Sequence, residues 1–382
     1  MSNRLASSLG TTGGLKYFTL SSSNPYPSFD IPLFLPKNDG PDFVSSSSFT
    51  QGAGIYEYNN FTISTGHQMT LSPGVTIIRC AGTFTCGGNG IIGALGDTLT
   101  VGDGYTKTSG TDGSAGVYSD GGNATGTSAT GAGGSGGNGS DSINTGVGGF
   151  AINGGGGGGG GGTNSLSSEA NGGNATATAG GYGGSPANTT AKAAGGLNGT
   201  NGQVPGCLIV IANVINISSN ITLIGGNGAN GSAGSTGIQN GTYGGGGGGG
   251  GAGGRGAQGG IFIGLGNVIN YSSGVINVSG GNGGNGGNGG NGLIINHPGG
   301  GGGAGPGGTG GDIGFVFLKA KTLTASGTIT GNVGNPGSPG SPGAGGTAFG
   351  NTSESGYNAG TSTVGSTYTS LNAIQTITGD PF

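Results

Sequence analysis

Apolar residues in this chain are gathered into short dense runs that are separated by long stretches of glycine. Cys207–Ala212 reads CLIVIA, Gly260–Gly266 reads GIFIGLG, and Gly314–Ala320 reads GFVFLKA. Runs of this length that are rich in branched and aromatic residues are typical of buried β-strands. Apolar positions spaced by three and four residues, which an amphipathic helix requires, do not recur over any useful length. The pattern predicts an all-β chain with essentially no α-helix.

The apolar runs belong to a repeat with an offset of 54 residues. The segment Asn213–Asn216 (NVIN) recurs as Asn267–Asn270, and Ser218–Ser219 recurs at 272–273. Each copy reads as a strand, a short polar turn, a second strand and a Gly-Asn-Gly signal. Repetition of one such unit predicts a β-solenoid-like stack. The strand-turn-strand units are expected near residues 75–90, 207–225, 261–279 and 313–330.

The glycine-rich arms between these units come in pairs of equal length. Gly225–Gly241 is followed by Gly244–Gly260, and Gly280–Gly292 is followed by Gly299–Gly311. Equal lengths indicate an outgoing arm and a returning arm folded side by side. In Gly280–Gly292 asparagine recurs at every third residue, which fits polyproline II geometry with three residues per turn. The sequence therefore predicts a bundle of packed polyglycine II helices, with asparagine facing solvent and bare glycine inside.

Composition divides the chain into three parts. Residues 1–70 contain aromatic residues and prolines and are expected to form an attachment module. Residues 71–347 are the glycine-rich repeat domain. Residues 348–382 form a Ser/Thr-rich C-terminal segment in which a last strand is expected at Asn372–Thr378.

Charge and hydropathy exclude several classes of function. The chain has 382 residues, 107 of them glycine, and only 6% are charged, which argues against the usual highly charged disordered proteins. The nine Lys and Arg residues are scattered, so a nucleic-acid partner is not expected. The apolar runs are far shorter than the roughly 20 residues of a spanning helix, so membrane insertion is not expected either. Residues 1–14 lack the apolar core of a secretory signal, which favours a virion-surface or extracellular location reached without a signal peptide.

Residues that carry chemistry are few and dispersed. His67 and His297 are the only histidines and lie far apart in the sequence. A catalytic triad or a metal site with several histidines is therefore not expected. Asp97, Asp103 and Asp112 sit near glycines, where aspartate is ordinary turn chemistry rather than a calcium site. The sequence therefore predicts a non-enzymatic protein without cofactor or metal.

The three cysteines, an odd number, leave at least one thiol outside any intramolecular disulfide. Cys80 and Cys86 flank one strand-like segment, and Cys207 opens another. We expect all three to be buried reduced thiols.

The bends where arms reverse are the candidate contact sites. Loops on a rigid scaffold often carry binding, and the apolar bend Leu293–Ile295 either packs against a neighbouring bend or forms a contact surface. Leu197 is also read as the end of an arm. The candidate receptor-contact residues are Tyr105, Tyr118, Tyr182, Thr242, Tyr243, Leu293, Ile294, Ile295 and His297.

Strand units that feed paired glycine-rich arms, with aromatic or apolar residues at the bends, resemble the glycine-rich tail-fibre tip adhesins of T-even-like bacteriophages. The resemblance covers about residues 80–347 and is architectural. It implies a sandwich of polyglycine II helices whose distal bends recognise a host-cell surface receptor, a protein or a glycan. Other virion or fibre proteins would be partners, and a homo-oligomer stays open. The alternatives are a structural subunit of an extracellular filament or sheath and an ice-binding protein.

Overall fold

A computed structural model describes residues 40–96, 182–183, 191–241, 243–293 and 300–344, together with short strands nearer the two termini. Among these residues the regular secondary structure is β-strand, and none of them lies in an α-helix. This agrees with the expectation of an all-β chain.

The strands are numbered in chain order. Those up to residue 96 are β1 (Thr11–Thr12), β2 (Leu15–Thr19), β3 (Asp30–Pro32), β4 (Phe43–Val44), β5 (Phe49–Gln51), β6 (Gly54–Tyr58), β7 (Phe61–Ile63), β8 (Gln68–Leu71), β9 (Val75–Cys86), β10 (Gly90–Gly93) and β11 (Leu95–Gly96). The later strands are β12 (Val204–Pro205), β13 (Cys207–Ile217), β14 (Ile221–Thr222), β15 (Gln239–Asn240), β16 (Tyr243–Gly244), β17 (Ile261–Tyr271), β18 (Val275–Asn277), β19 (Phe315–Ala325), β20 (Thr328–Thr330), β21 (Thr347–Ala348), β22 (Asn351–Thr352) and β23 (Ile374–Thr378).

Two parallel sheets form the strand part of the molecule. The larger sheet has the order β23-β19-β17-β13-β9-β7-β4, with β6 also paired to β9. The smaller sheet has the order β20-β18-β14-β10-β8-β5. Each predicted unit contributes its first strand to the larger sheet and its second strand to the smaller one.

The register of the larger sheet follows the sequence repeat. Val214 pairs with Val268 and Asn216 pairs with Asn270, so the repeat offset is the spacing of hydrogen-bonded neighbours. Strands from residues 43–71 continue both sheets, and the predicted boundary at residue 70 falls inside β8. The last expected strand is present as β23, parallel to β19.

The apolar core lies between the two sheets. Leu208, Ile215, Phe262 and Ile276 belong to one buried cluster that draws on both sheets. The first half of β13 is buried on both faces, because Cys207, Ile209 and Ile211 join a second buried cluster. Burial of both faces explains why CLIVIA is a continuous apolar run rather than an alternating one.

Among the described residues, six glycine-rich arms leave or enter the sheets. They are arm 1 (191–203), arm 2 (225–238), arm 3 (245–260), arm 4 (280–293), arm 5 (300–314) and arm 6 (331–344). Arms 2, 4 and 6 form one layer, and arms 1, 3 and 5 form the other. Within each layer, backbone hydrogen bonds join neighbouring arms at every third residue.

Neighbouring arms within a layer run parallel. The N–H groups of Gly228 and Gly231 in arm 2 donate to the carbonyl oxygens of Asn282 and Asn285 in arm 4, at 2.8 Å each. Arm 4 donates to arm 6 in the same way, and arm 1 donates to arm 3, which donates to arm 5.

Arms in different layers run antiparallel. The N–H of Gly254 in arm 3 donates to the carbonyl of Ala229 in arm 2 at 2.8 Å, and Gly251 donates to Ser232 at 2.9 Å. Arm 5 meets arm 4 in the same manner. The side-by-side pairing of outgoing and returning arms, predicted from their equal lengths, is confirmed.

Two of every three positions in arm 4 admit only glycine. A Cβ atom on Gly284 would lie 2.0 Å from the carbonyl oxygen of Ala229, and one on Gly283 would lie 2.1 Å from that of Gly308. The third position, which Asn282 occupies, is exposed. The Gly-Gly-Asn triplet therefore reflects two positions that face the backbone of neighbouring arms and a third that faces solvent.

The asparagines face solvent as expected, but their side chains also join the arms. Asn285 Oδ1 accepts the N–H of Ser338 in arm 6 at 2.9 Å, and Asn230 Oδ1 accepts the N–H of Asn285 at 2.8 Å. Six outward-facing N–H groups thus find an asparagine side-chain acceptor on the preceding arm; they belong to Asn282, Asn285, Asn335, Ser338, Ser341 and Ala344. In the sheet, asparagines bond to each other through their side chains instead: Asn270 Nδ2 donates to Asn216 Oδ1 at 2.9 Å.

Candidate functional site at the bends of the arms

The arms extend from the sheets at one end to bends at the other. At the sheet end, the N–H of Gly260 donates to the carbonyl of Leu223, and that of Gly314 donates to Val278. At the opposite end, the N–H of Gly245 donates to the carbonyl of Ile238, where arm 2 turns into arm 3. The bends are therefore held away from the strand part of the molecule.

The bend between arms 2 and 3 is a short β-hairpin. Strands β15 and β16 pair antiparallel with Asn240 opposite Tyr243. Gly241 follows Asn240 with φ of 61°, a left-handed conformation that glycine adopts without strain. Gln239 Nε2 donates to the Gly241 carbonyl at 3.1 Å across the turn. Glycine is favoured at the first central position of one class of two-residue hairpin turn, which is the position of Gly241.

Three bend segments lie together at this end. The N–H of Leu293, at the end of arm 4, donates to the carbonyl of Gly245 at 3.3 Å, next to the hairpin. A Cβ on Gly183 would lie 1.9 Å from the carbonyl oxygen of Gly246, so Tyr182 is also beside the hairpin. The structure thus brings the predicted contact residues Tyr182, Tyr243 and Leu293 to one end of the arms.

The side chains at this end suit non-covalent contact. Tyr182 is 55% exposed and Leu293 is half-buried. Gln239 and Lys192 are exposed as well. An aromatic ring, an apolar side chain, an amide and one positive charge provide stacking and hydrogen-bonding groups.

Several predicted contact residues lie outside the described part of the chain. These are Tyr105, Tyr118, Thr242, Ile294, Ile295 and His297, and the side chain of Tyr243 is not described either. The aspartates weighed as a calcium site, Asp97, Asp103 and Asp112, also lie outside it.

The reading of Leu197 as the end of an arm is wrong. Arm 1 continues through this residue, because Gly196 and Gly199 both donate to arm 3. Leu197 is 67% exposed in the middle of arm 1. An apolar interruption in glycine resembles a bend in sequence, but an outward-facing position tolerates any side chain.

The sequence reading missed the roles of Gln239, Asn240 and Gly241. The sequence predicts the bend at Thr242 and Tyr243 and assigns the residues up to Gly241 to the outgoing arm. Gly241 is the available turn signal, but glycine is so frequent in this chain that a single one does not stand out.

The titratable groups of the described residues include three buried cysteines. Cys80, Cys86 and Cys207 are buried and unpaired, and burial raises the pKa of each thiol to about 12. This confirms the prediction of buried reduced thiols and makes them poor nucleophiles. The described residues contain no group of three or more His, Cys, Asp or Glu side chains that could hold a metal ion.

Within the described part of the chain, no helix has the length and apolar character needed to cross a membrane. No family model, curated protein or solved structure matches this chain.

Proposed function

We propose that this chain is a non-enzymatic adhesin of bacteriophage tail-fibre or virion-surface type, in which rigid glycine arms present their bends to a host-cell receptor. The arms would be polyglycine II helices. Hydrogen bonding at every third residue supports this geometry, because polyproline II has three residues per turn. At its rise of about 3.1 Å per residue, an arm of this size would reach about 40 Å.

The observation that carries the proposal is the meeting of bends at one end of the hydrogen-bonded arms. Arm 4 bonds to arms 2, 3, 5 and 6, so its end has little freedom to move. Leu293, the β15–β16 hairpin and Tyr182 lie at that end, with Tyr182 largely exposed. Binding residues on loops that a rigid scaffold positions are a recurrent arrangement in proteins.

A filament built by adding arms between subunits is less well supported, because residues at both edges of the arm 2–4–6 layer, as far as the chain is described, hinder the addition of another arm. In arm 6, Pro336 stands where arm 4 has the donor Gly283, and proline has no N–H to offer a further arm. Ala229 of arm 2 occupies the position that Gly284 has in arm 4. Gly284 faces a carbonyl group of arm 2, the preceding arm of the layer. A Cβ there would meet the backbone of any arm added on that side.

The test is binding of the labelled full chain to a broad panel of bacterial cells. We expect the unaltered chain to bind some strains. Two variants should lose this binding: one with residues 293–297 replaced by glycine and serine, and Tyr182→Ala. The matched control is Ile55→Ser, which removes a 62% exposed apolar side chain from β6 in the sheets and should bind normally.

All variants are compared at an unchanged melting temperature. Loss of binding in the bend variants alone would support an adhesin that uses its bends. Absence of binding across the panel, together with fibres assembling from the pure protein, would contradict the proposal and favour the filament subunit.

A further inference from the structure

Two columns of apolar side chains run through the core from one end of the stacked strands to the other. In the larger sheet, the paired residues of one column are Phe43, Phe61, Phe84, Ile215, Ile269 and Leu323. In the smaller sheet, the paired residues of the other column are Phe49, Met69, Ile91, Ile221, Ile276 and Ile329. The inner members of each column are fully buried, whereas the residues at the column ends are only partly buried. The apolar core therefore reaches the surface at both ends of the stack.

The two ends of the stack have complementary steps. At one end, β23 covers only the first half of β19, residues 316–320, and no described strand pairs with the second half. At the other end, β6 and β7 pair with the first and second halves of β9, and β4 covers only β7. The outermost strand thus lies over the first half of the larger sheet at one end and over the second half at the other. Each end carries a strand where the opposite end lacks one among the described residues.

The outermost strand β4 turns main-chain groups away from the sheet. Phe43 and Ser45 donate their N–H groups to the carbonyls of Asn60 and Thr62 along β7, at 2.8 and 3.0 Å. Successive residues of a strand bond to opposite sides, so the N–H and C=O of the residue between them, Val44, point outward. Val44 is also 64% exposed. This end of the stack therefore presents both a donor and an acceptor.

The second half of β19 does the same at the opposite end. Ser326 donates its N–H to the carbonyl of Tyr271 in β17 at 2.8 Å, so the preceding residue, Ala325, faces outward by the same alternation. Residues 322–325 and 328–330 contain neither proline nor a charged residue, although Lys321 precedes them. Proline and charge are the devices that commonly protect an exposed strand edge. This edge is therefore suited to pairing with a further strand.

The direction of the strands decides which end of another copy fits here. Among the described residues, all strand pairings of the two large sheets are parallel. A copy that presents its opposite end continues this parallel pairing, whereas two like ends would meet with their strands antiparallel. The steps at the two ends also fit each other and do not fit their own kind.

We propose that copies of this chain associate end to end, with the β4–β5 end of one copy seated on the β19–β20 end of the next. Continuing the two apolar columns places Phe43 of one copy on Leu323 of its neighbour, and Phe49 on Ile329. All four side chains are only partly buried in the single chain. The association therefore removes apolar surface from water, as addition of each strand unit does within the chain.

The same placement continues the main-chain hydrogen bonds. The Val44 N–H meets the Leu323 carbonyl of the neighbouring copy, and the Ala325 N–H of that copy meets the Val44 carbonyl. In the first half of the larger sheet, β23 meets β6, and both strands have five residues. Their registers agree, because each occupies the same five columns of the sheet. Pairing of strands across two chains is a recurrent mode of protein association.

An interface between two different ends of the same molecule is heterologous and gives an open chain of copies when rotation does not close it into a ring. The interface uses the strands, so it is separate from any addition of arms at the layer edges, and the bends stay free. The proposal does not rest on the adhesin function. End-to-end association alone does not contradict that function, which fails only if binding to cells is also absent.

The test is sedimentation velocity of the pure full chain over a range of concentrations. The unaltered chain should sediment faster as its concentration rises. Val44→Pro and Ala325→Pro each remove one outward N–H and no hydrogen bond within the sheets, so each variant should stay monomeric. The matched controls Val44→Thr and Ala325→Ser keep the N–H and should associate as the unaltered chain does. An unchanged melting temperature checks the fold of every variant.

An equimolar mixture of the two proline variants identifies which ends meet. Each variant keeps one intact end, and these intact ends are opposite ones. The mixture should therefore form dimers and nothing larger, although each variant alone is monomeric. A proline variant that dimerises alone would show that like ends meet and would overturn the head-to-tail arrangement.

Two other results would also overturn the proposal. One is an unaltered chain that stays monomeric at every concentration, which would assign the open ends to a different protein. The other is association that both proline variants retain, which would place the interface elsewhere on the molecule. The experiment contains no cells, so its result is independent of receptor binding.

Discussion

At the residue scale, the place of a residue within a triplet decides which side chain an arm tolerates. Gly284 and Gly283 face backbone carbonyls that leave no room for a Cβ, whereas Asn285 faces outward and bonds to the next arm. The bare backbone carries a large entropic cost on folding, which the inter-arm hydrogen bonds must offset. Glycine at the crowded positions is therefore a steric requirement rather than a source of flexibility.

This requirement predicts a sharp difference between two Gly→Ala substitutions. Gly284→Ala should lower the free energy of unfolding by about 1–3 kcal/mol or more, since its Cβ would lie 2.0 Å from a backbone oxygen. Gly331→Ala is the matched control, because a Cβ there meets only ordinary contacts at 3.6 Å. Urea denaturation of both variants checks the prediction, and equal stability of the two would contradict it.

The buried thiols predict a pH dependence of stability. Burial raises the pKa of Cys80, Cys86 and Cys207 from 9.0 to about 12, so the folded state disfavours the thiolate. Their contribution is complete below pH 9 and is lost as pH rises toward 12. We expect the free energy of unfolding to fall over this range by about 1.4 kcal/mol per pH unit for each thiol. Denaturation at several pH values measures the slope of the free energy of unfolding against pH. Cys207→Ala should make this slope shallower by the contribution of one thiol.

At the element scale, the strands, their partners and the side-by-side pairing of successive arms were largely predictable, and the arrangement of the arm pairs in two layers was not. Asn216 and Asn270 share a place in the repeat, so a parallel in-register stack follows from the sequence. The division of the arms into two layers does not follow, because bare glycines give no sign of which neighbour a peptide group meets. The bonding role of Asn285 was missed for the same reason: its acceptor function depends on Ser338, 53 residues away. The prediction that arm 1 ends at Leu197 was wrong because a single apolar residue among glycines has the same sequence pattern as a bend.

The threefold spacing of the inter-arm bonds predicts how arms respond to deletion. Removing Gly286 alone rotates every later residue of arm 4 by a third of a turn, which turns Asn288 and Asn291 toward crowded positions. Removing residues 286–288 together keeps every remaining residue on its original side. We expect the single deletion to lower the melting temperature more than the triple deletion does. The reverse order in thermal unfolding would argue against three residues per turn.

At the scale of the whole molecule, residues at the two edges of the arm 2–4–6 layer hinder its growth within the described part of the chain. Pro336, Pro339 and Pro342 occupy one edge, where a further arm would need N–H donors. Ala229, Ser232 and Ser235 are exposed along the other edge, where a further arm would meet side chains. Natural sheets protect their edges with similar devices, proline among them.

Opening both edges should make the protein associate with itself. Replacing the three prolines by glycine restores donors, and replacing Ala229, Ser232 and Ser235 by glycine clears the acceptor side. We expect each triple variant to keep the assembly state of the unaltered chain and the sixfold variant to form larger species. Sedimentation velocity checks this, and a sixfold variant that stays folded without associating would show that other features close the edges.

The direction of the arms has a mechanical consequence. The sheets hold one end of each arm, and the bends lie at the other. A pull on the bends against the sheets therefore runs along the arms and loads the lateral bonds of neighbouring arms together, in shear. A pull across the arms would instead peel them apart one row at a time. The described arms should resist tension along their length far better than tension across them. If the proposed adhesin function holds, tension along the arms is the load that arises when a bound cell is pulled away.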